Sequence, residues 1–272
     1  METKDFECAV AYHRQSAFSR RMLERLNEIE VRPVGFGEDR EAVYRFRYAA
    51  YRAAGHMRAN AARLVHDEHD DAPGAMLFAL HHRGRMVSSI RFNLVTPDNR
   101  TGMSRLAFPD IVEPMLDRGE TIIDPTRFAV CPSEGRELPQ LSYVTVRLAA
   151  MACAHFRTDH AFSLVRPSHA AFYRKVFASE PIGEERPCPG VEFRVCLLTS
   201  RMRETYRHVL RRQPFFHSLE SERRMLFGPV PAWVRAEMEG RAGPSPVRTL
   251  ARVAHPSNWL TVLPTARLAL TA

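Results

Sequence analysis

Four short stretches of this 272-residue chain hold the residue types best suited to chemistry. The first, Tyr44-Arg45-Phe46-Arg47-Tyr48-Ala49-Ala50-Tyr51-Arg52, sets arginines among aromatics. The second, His66-Asp67-Glu68-His69-Asp70-Asp71, is an acidic run with two histidines. The third, Ile90-Arg91-Phe92, buries an arginine in an apolar run, and the fourth, residues 123–130, carries Asp124 and Arg127 three apart. Arginine holds a carboxylate through two parallel hydrogen bonds. A carboxylate such as Glu68 or Asp70 can bind an amine or accept its proton. Together these groups can hold the anionic and cationic parts of a substrate and move a proton between them. Each also has a structural reading. Arg91 must be paired, with Asp67, Asp70 and Asp124 as its possible partners. On a regular strand, Asp124 and Arg127 point to opposite faces, unless Pro125 introduces a bulge. Arg47 can simply cover apolar surface with its stem. The histidines and carboxylates of the acidic run match no metal-ligand spacing, so no metal is expected.

Elements predicted around these stretches place them in order. Helical spacing is seen at residues 16–29 and again at 38–54, with a short strand at 31–36 between them. A polar loop, 56–73, ends in the acidic run. Strands 75–81 and 86–95 form a hairpin about Arg83-Gly84-Arg85. Residues 103–117 read as a helix broken by Pro109 and Pro114. A strand at 121–130, a loop at 132–139, a helix at 141–156 and a strand at 161–165 follow. Ser168 is expected to cap a helix reaching Phe177. His169 stands at that helix's start, where the dipole favours a neutral imidazole suited to act as a base. A Pro/Gly-rich link, 187–190, precedes a last strand, 191–198. The pattern predicts an α/β fold: a mixed sheet with helices on both faces.

The net charge of +8 is unevenly placed, with 12 basic against 5 acidic residues from Arg201 onward. Residues 201–212 and 218–227 read as basic helices, followed by a Gly/Pro-rich tail. Such a patch attracts an acidic partner: nucleic acid, an anionic membrane surface or an acidic carrier protein. No nucleic-acid-binding motif is present. No apolar run reaches the roughly 20 residues of an integral membrane span. The opening METKDFECAV does not read as a secretory signal. The five cysteines form no disulfide or zinc pattern, and a cytoplasmic protein is expected.

The order of these motifs resembles the acyl-homoserine-lactone synthases and, more closely, the N-acyl amino acid synthases that share their fold. The positions that match are Arg47, Asp67 and Asp70 with Asp71, Arg91, and Asp124 with Arg127. The stretch Val165-Arg166-Pro167-Ser168-His169-Ala170-Ala171-Phe172-Tyr173 is similar to their strand-to-helix turn. The resemblance covers about residues 31–199 and rests on order more than on any one motif. It implies a GNAT-like acyltransferase core over 31–200, with a mostly antiparallel central sheet flanked by helices. An N-terminal helix within 1–30 precedes that core, and a basic helical extension with a tail, 201–272, follows it. The implied reaction moves a fatty acyl group from an acyl carrier protein thioester to the α-amine of an amino acid. No cofactor is implied. Catalytic roles would fall to Asp124, Arg127, Glu68, His169 and Tyr173, the last donating to the leaving thiolate. Substrate binding would fall to Arg47, Asp67, Asp70 and Arg91, with Phe92, Phe128 and Val144 along the acyl channel. Two features depart from the wider pattern. The lactone synthases carry a glutamate where Asp124 stands, and tryptophans that this chain lacks. The Arg-x-x-Gly-x-Gly loop that cradles coenzyme A pyrophosphate is also missing, since residues 131–141 offer only Gly135. With that loop missing, the resemblance implies a carrier-protein thioester as donor and not free acyl-CoA. A lactone synthase using S-adenosylmethionine and a non-catalytic partner-binding scaffold stand as alternatives.

Overall fold

A computed structural model describes residues 16–35 and 38–238. Helix α1 (Ala17–Glu28) starts at Ser16, whose hydroxyl accepts the Ser19 N–H at 3.1 Å. Strand β1 (Ile29–Val34) follows directly, two residues earlier than the sequence suggests, and Phe36 lies outside the described residues. After α2 (Glu38–Ala53), the acidic run folds into a single 3-10 turn, Glu68–Asp70. Strands β2 (Ala75–His82) and β3 (Arg85–Val95) form the predicted hairpin. Its two-residue turn has Arg83 at φ 50° and Gly84 at φ 76°, the left-handed pair that matches strand twist.

The proline-broken helix is two: α3 (Met103–Ala107) and α4 (Pro109–Asp117). Pro109 opens α4, where no N–H is required, and the break falls at Phe108. Strand β4 (Ile122–Val130) comes next. The expected loop after it contains a short helix, α5 (Pro132–Glu137), again opened by proline. Helix α6 (Leu141–Phe156) is buried on nearly every side and stops at left-handed Arg157. Strand β5 (His160–Val165) and the 3-10 turn Pro167–His169 lead into α7 (Ala170–Phe177). Ser168 therefore lies inside the turn, and α7 has no side-chain cap. Two further strands follow, β6 (Glu180–Pro187) and β7 (Arg194–Arg201), the latter three residues later than expected. Helices α8 (Met202–Arg212), α9 (Glu220–Phe227) and α10 (Ala232–Met238) end the described chain.

The strands form one seven-stranded sheet ordered β1-β2-β3-β4-β5-β7-β6 among the described residues. Every pairing is antiparallel except β4–β5, so the expected mixed, mostly antiparallel sheet flanked by helices is what forms. A parallel neighbour needs a crossover, which α5 and α6 supply. Alternation along the strands splits the core by face. Phe78, Leu80, Ile90 and Phe92 pack on one face with Met22 of α1 and Val144, Leu148 and Met151 of α6. Met202, Val209, Phe215, Phe216 and Phe227 join that same cluster. Arg147 of α6 ties this region down. Buried, it donates to the Phe215 and His217 carbonyls, both at 2.8 Å, and to Glu222. On the other face, Val43 and Tyr44 of α2 cover Leu77 and Ala79, while Phe108, Val112 and Leu116 cover Ile122, Phe162 and Leu197.

Candidate active site

The parallel pair β4–β5 is joined only at Ile122–His160 and Ile123–Ala161. Beyond those residues the two strands part, and a cavity of about 680 Å³ fills the gap. Residues 125–130 of β4 and 161–165 of β5 form two of its walls, and Tyr51, Tyr143, Phe172 and Phe193 help close it. A bulge shapes the β4 wall. Ser89 pairs with Ala129 but Arg91 pairs with Thr126, so Ile90 stands opposite both Arg127 and Phe128. The extra residue is accommodated by Arg127, at φ 52°, and not by Pro125, which keeps register with Phe92. The bulge brings Arg127 to the same face as Arg91 and leaves Arg127 and Phe128 without ladder partners on β3, the Phe128 carbonyl accepting instead from the Tyr51 hydroxyl at 3.3 Å.

That face holds a buried ion network. One Asp67 oxygen accepts from Arg91 Nη1 at 2.6 Å and from the His69 N–H at 3.0 Å, and the other accepts from Arg127 Nε at 2.7 Å. Asp70 accepts from Arg47 at 2.8 Å and lies 3.1 Å from Arg91. The Asp67 N–H donates back to Asp70 at 3.1 Å, a reciprocal cap that locks the turn and aims both carboxylates. Arg91 Nε also donates to Thr126 at 3.0 Å. Burial pushes both carboxyls upward, but the guanidinium groups outweigh it and hold Asp67 and Asp70 below the usual range. Three arginines meet two aspartates here, an excess of one positive charge. Arg47 Nε and Nη2 and Arg91 Nη2 are buried with no hydrogen-bond partner among the described residues. Arg127 sits on the cavity wall itself.

The remaining predicted residues divide. Asp124 is fully buried and off the cavity wall. Its two oxygens accept the Ser104 N–H at 3.0 Å and the Ser104 hydroxyl at 2.6 Å, and burial raises its pKa. It anchors the start of α3 and touches no cavity space, contrary to the contact role expected of it. Arg91 accordingly pairs with Asp67 and Asp70 and makes no ion pair with Asp124. Glu68 is exposed on the outside of its turn. Phe92 and Val144 pack in the main core; of the three expected channel residues, Phe128 alone lines the cavity. The bulge turns Phe128 to the face of Ile90 and Phe92, and because Phe128 is on β4, beside the gap, it reaches the cavity, whereas Phe92 lies one strand back on β3. Tyr173 lines the cavity, with its hydroxyl pushed up by burial, and His169 stands exposed at its rim.

Sequence reasoning passed over His56. It follows the end of α2, its N–H bonded to the Tyr51 carbonyl at 2.8 Å, and its ring lies 5.7 Å from Phe193 on the cavity wall. Burial, then Arg166 and His169, lower its pKa, so the imidazole is neutral at neutral pH. Arg166 stacks on Phe193 at 3.9 Å. Cys188, another wall residue, has its thiol pushed up by burial. A polar residue one turn beyond Tyr51, closing a helix with left-handed Gly55, was the available signal for His56. Among the described residues, no three His, Cys, Asp or Glu side chains gather as metal ligands. Nor is any helix among them long and apolar enough to cross a membrane.

A mixed sheet that parts over a largely apolar cavity with a few polar groups in its wall is the frame, and the family match makes the chain an N-acyltransferase. More specifically, the model of the family N-acyl amino acid synthase FeeM matches residues 42–201, over half of the chain, and the chain belongs to that family. Among solved structures, FeeM, an N-acyl amino acid synthase from uncultured soil microbes, is 16% identical, with 68% of this chain and 97% of that chain covered and a TM-score of 0.53. The CoA-dependent acyl-homoserine lactone synthase BjaI, with MTA, is 18% identical over 65% of this chain and 83% of that one, TM-score 0.47. The acyl-homoserine lactone synthase LasI is 13% identical over 63% and 89%, TM-score 0.46. No curated protein matches.

Proposed function

We propose that the protein transfers a fatty acyl group from an acyl carrier protein thioester to the α-amine of an amino acid. One observation carries this reading: a single cavity joins apolar walls on the α6–α7 side to Arg127, His56 and Arg166 on the α2 side. Val146, Ala149, Phe172 and Phe177 suit a hydrocarbon chain. A volume of about 680 Å³ is in the range that encloses ligands of this size. Arg127, backed by the excess positive charge of its network, suits the acceptor's carboxylate.

Unpaired β4 backbone N–H groups at the bulge receive the thioester oxygen as it becomes an oxyanion. The amine adds to the carbonyl carbon, and neutral His56 takes the ammonium proton, directly or through water. The tetrahedral intermediate collapses, the C–S bond breaks and the electron pair leaves on sulfur. The Tyr173 hydroxyl, kept protonated by burial, donates to that thiolate. Asp124 acts at one remove, by fixing α3 through Ser104. Asp67 and Asp70 orient the arginines.

The test is thiol release from an acyl carrier protein in the presence of each amino acid in turn. Release dependent on one amino acid, with an amide product of matching mass, supports the reading. No release with any amino acid refutes it. Release of methylthioadenosine from S-adenosylmethionine would decide for a lactone synthase instead.

A further inference from the structure

Exposed wall residues bring the cavity to the surface near Pro139 and His169, at the starts of α6 and α7, and again near Ala54 and Pro189. Helices α1, α7 and α8 lie near the first of these. The inner side of α7 supplies Phe172 and Tyr173 to the cavity wall. Phe18 of α1 lies 5.0 Å from Tyr143, whose ring is 5.0 Å from Phe172. Helix α8 packs beside α7, and the turn after it sets Phe215 5.9 Å from Phe18 and Phe216 5.3 Å from Phe177. The outward faces of these helices carry Arg20 and Arg21, Arg174 and Lys175, and Arg207 and Arg211, all exposed. None of the six has an acidic partner within 4 Å among the described residues, whereas Arg25 on the same helix α1, and Arg45 and Arg186 on other faces, are each paired. Helix α7 carries no acidic residue, and α8 carries only Glu204, 4.0 Å from Arg201.

We propose that this basic collar on α1, α7 and α8 is where an acidic carrier protein docks to thread its acyl thioester into the cavity. The inference rests on the donor assigned above and places that donor on particular residues. Two features point to a carrier protein over other anions. The collar's helices pack behind the apolar wall formed by Tyr143, Phe172 and Phe177, along which a tethered acyl chain would lie. Its unpaired cations also come from three separate helices, which suits a compact acidic surface. Helices α1 and α8 both lie outside the matched residues 42–201. Attraction across such a surface acts mainly on encounter and weakens with salt.

The experiment compares two charge-reversed proteins, Arg207→Glu/Arg211→Glu and Arg174→Glu/Lys175→Glu, with wild type. Each is given the same acyl group on holo acyl carrier protein and on free pantetheine. Binding of fluorescently labelled holo carrier protein is measured in parallel by anisotropy, so that docking is read without turnover. The expected result is a rise of about tenfold or more in KM for the carrier-borne donor at low salt, shrinking near 0.5 M salt, with kcat kept. Carrier binding weakens in step, while the pantetheine thioester reacts as before. Equal losses with both donors would mean a structural role and overturn the proposal, as would unchanged carrier binding. Tighter binding to duplex DNA or to anionic vesicles than to the carrier would also overturn it. Wild type inactive with both donors yet bound to the carrier through these residues would refute the acyl-transfer reading and leave the docking surface standing.

Discussion

Asp67→Asn keeps the shape of the side chain and removes the charge that two arginines share. In the wild type, Asp67 accepts from fully buried Arg91 and from Arg127, whose side chain is 11% exposed. After the substitution, Arg47, Arg91 and Arg127 face Asp70 alone. Removing one partner of a buried pair costs about 3–5 kcal/mol, because the remaining charge stays buried without compensation. For a chain of this size each kcal/mol lowers Tm by roughly 2–4 °C, so a drop of about 10 °C is expected. Glu30→Gln is the control: Glu30 and Arg32 pair with half their surface exposed, and its loss should cost under about 1 kcal/mol. pH gives a second handle. The folded-state pKa of Asp67 is depressed, so its contribution is present above the unfolded value of about 3.9 and is lost as pH falls below that. The gap between wild type and Asp67→Asn should therefore narrow from pH 4 toward pH 2. The assay is urea or thermal unfolding followed by circular dichroism. Equal Tm values at pH 7, or a gap that widens in acid, would refute the account of this network.

Further predictions concern other sites. His155 is buried between Phe156 and Phe227, and that burial, with Arg223 and Arg224 nearby, lowers its pKa to about 4. The unfolded chain, with a value of about 6.5, binds the proton first, so stability falls below pH 6.5 by about 2 kcal/mol at pH 5. In His155→Phe that decline should shrink when denaturation is followed from pH 7 to 5. An alanine Cβ at Gly102 would lie 2.9 Å from Asp124 Oδ2 and 2.8 Å from Val95, so Gly102→Ala should cost about 1–3 kcal/mol and shift α3. If neutral His56 takes the proton, His56→Gln should lower kcat by about a hundredfold or more and remove the acid limb of the pH–rate profile. A mutant that keeps that limb would assign the base elsewhere.

Legibility varied with how local the cause was. Helix α6 could be read residue for residue because Val144, Leu148, Met151 and Ala152 repeat at helical spacing along one face. The pairing of Arg91 was legible because a charge in an apolar strand has to be compensated. Its partners were narrowed only to three aspartates, since the turn that aims Asp67 and Asp70 depends on a mutual cap. Asp124 was misjudged because its partner, Ser104, lies 20 residues away on a short helix with no distinctive pattern. Strand β6 was missed: it is an exposed edge strand of Glu, Pro and Arg, with no alternation to detect. The bulge centres on an arginine in the left-handed region, which no residue preference announces, whereas neighbouring Pro125 drew attention. That bulge decides which β4 side chains reach the cavity, so Phe128 could be placed only with the register known.

The central claim is most directly tested by mass spectrometry of lipid extracts from cells making the protein, wild type beside Arg127→Ala and His56→Gln. The account predicts a new series of N-acyl amino acids in the wild type. The series should be depleted in both variants, with His56→Gln retaining wild-type Tm. An unchanged lipid profile in cells that contain the folded protein and an acyl carrier protein, or a product series indifferent to both substitutions, would contradict it.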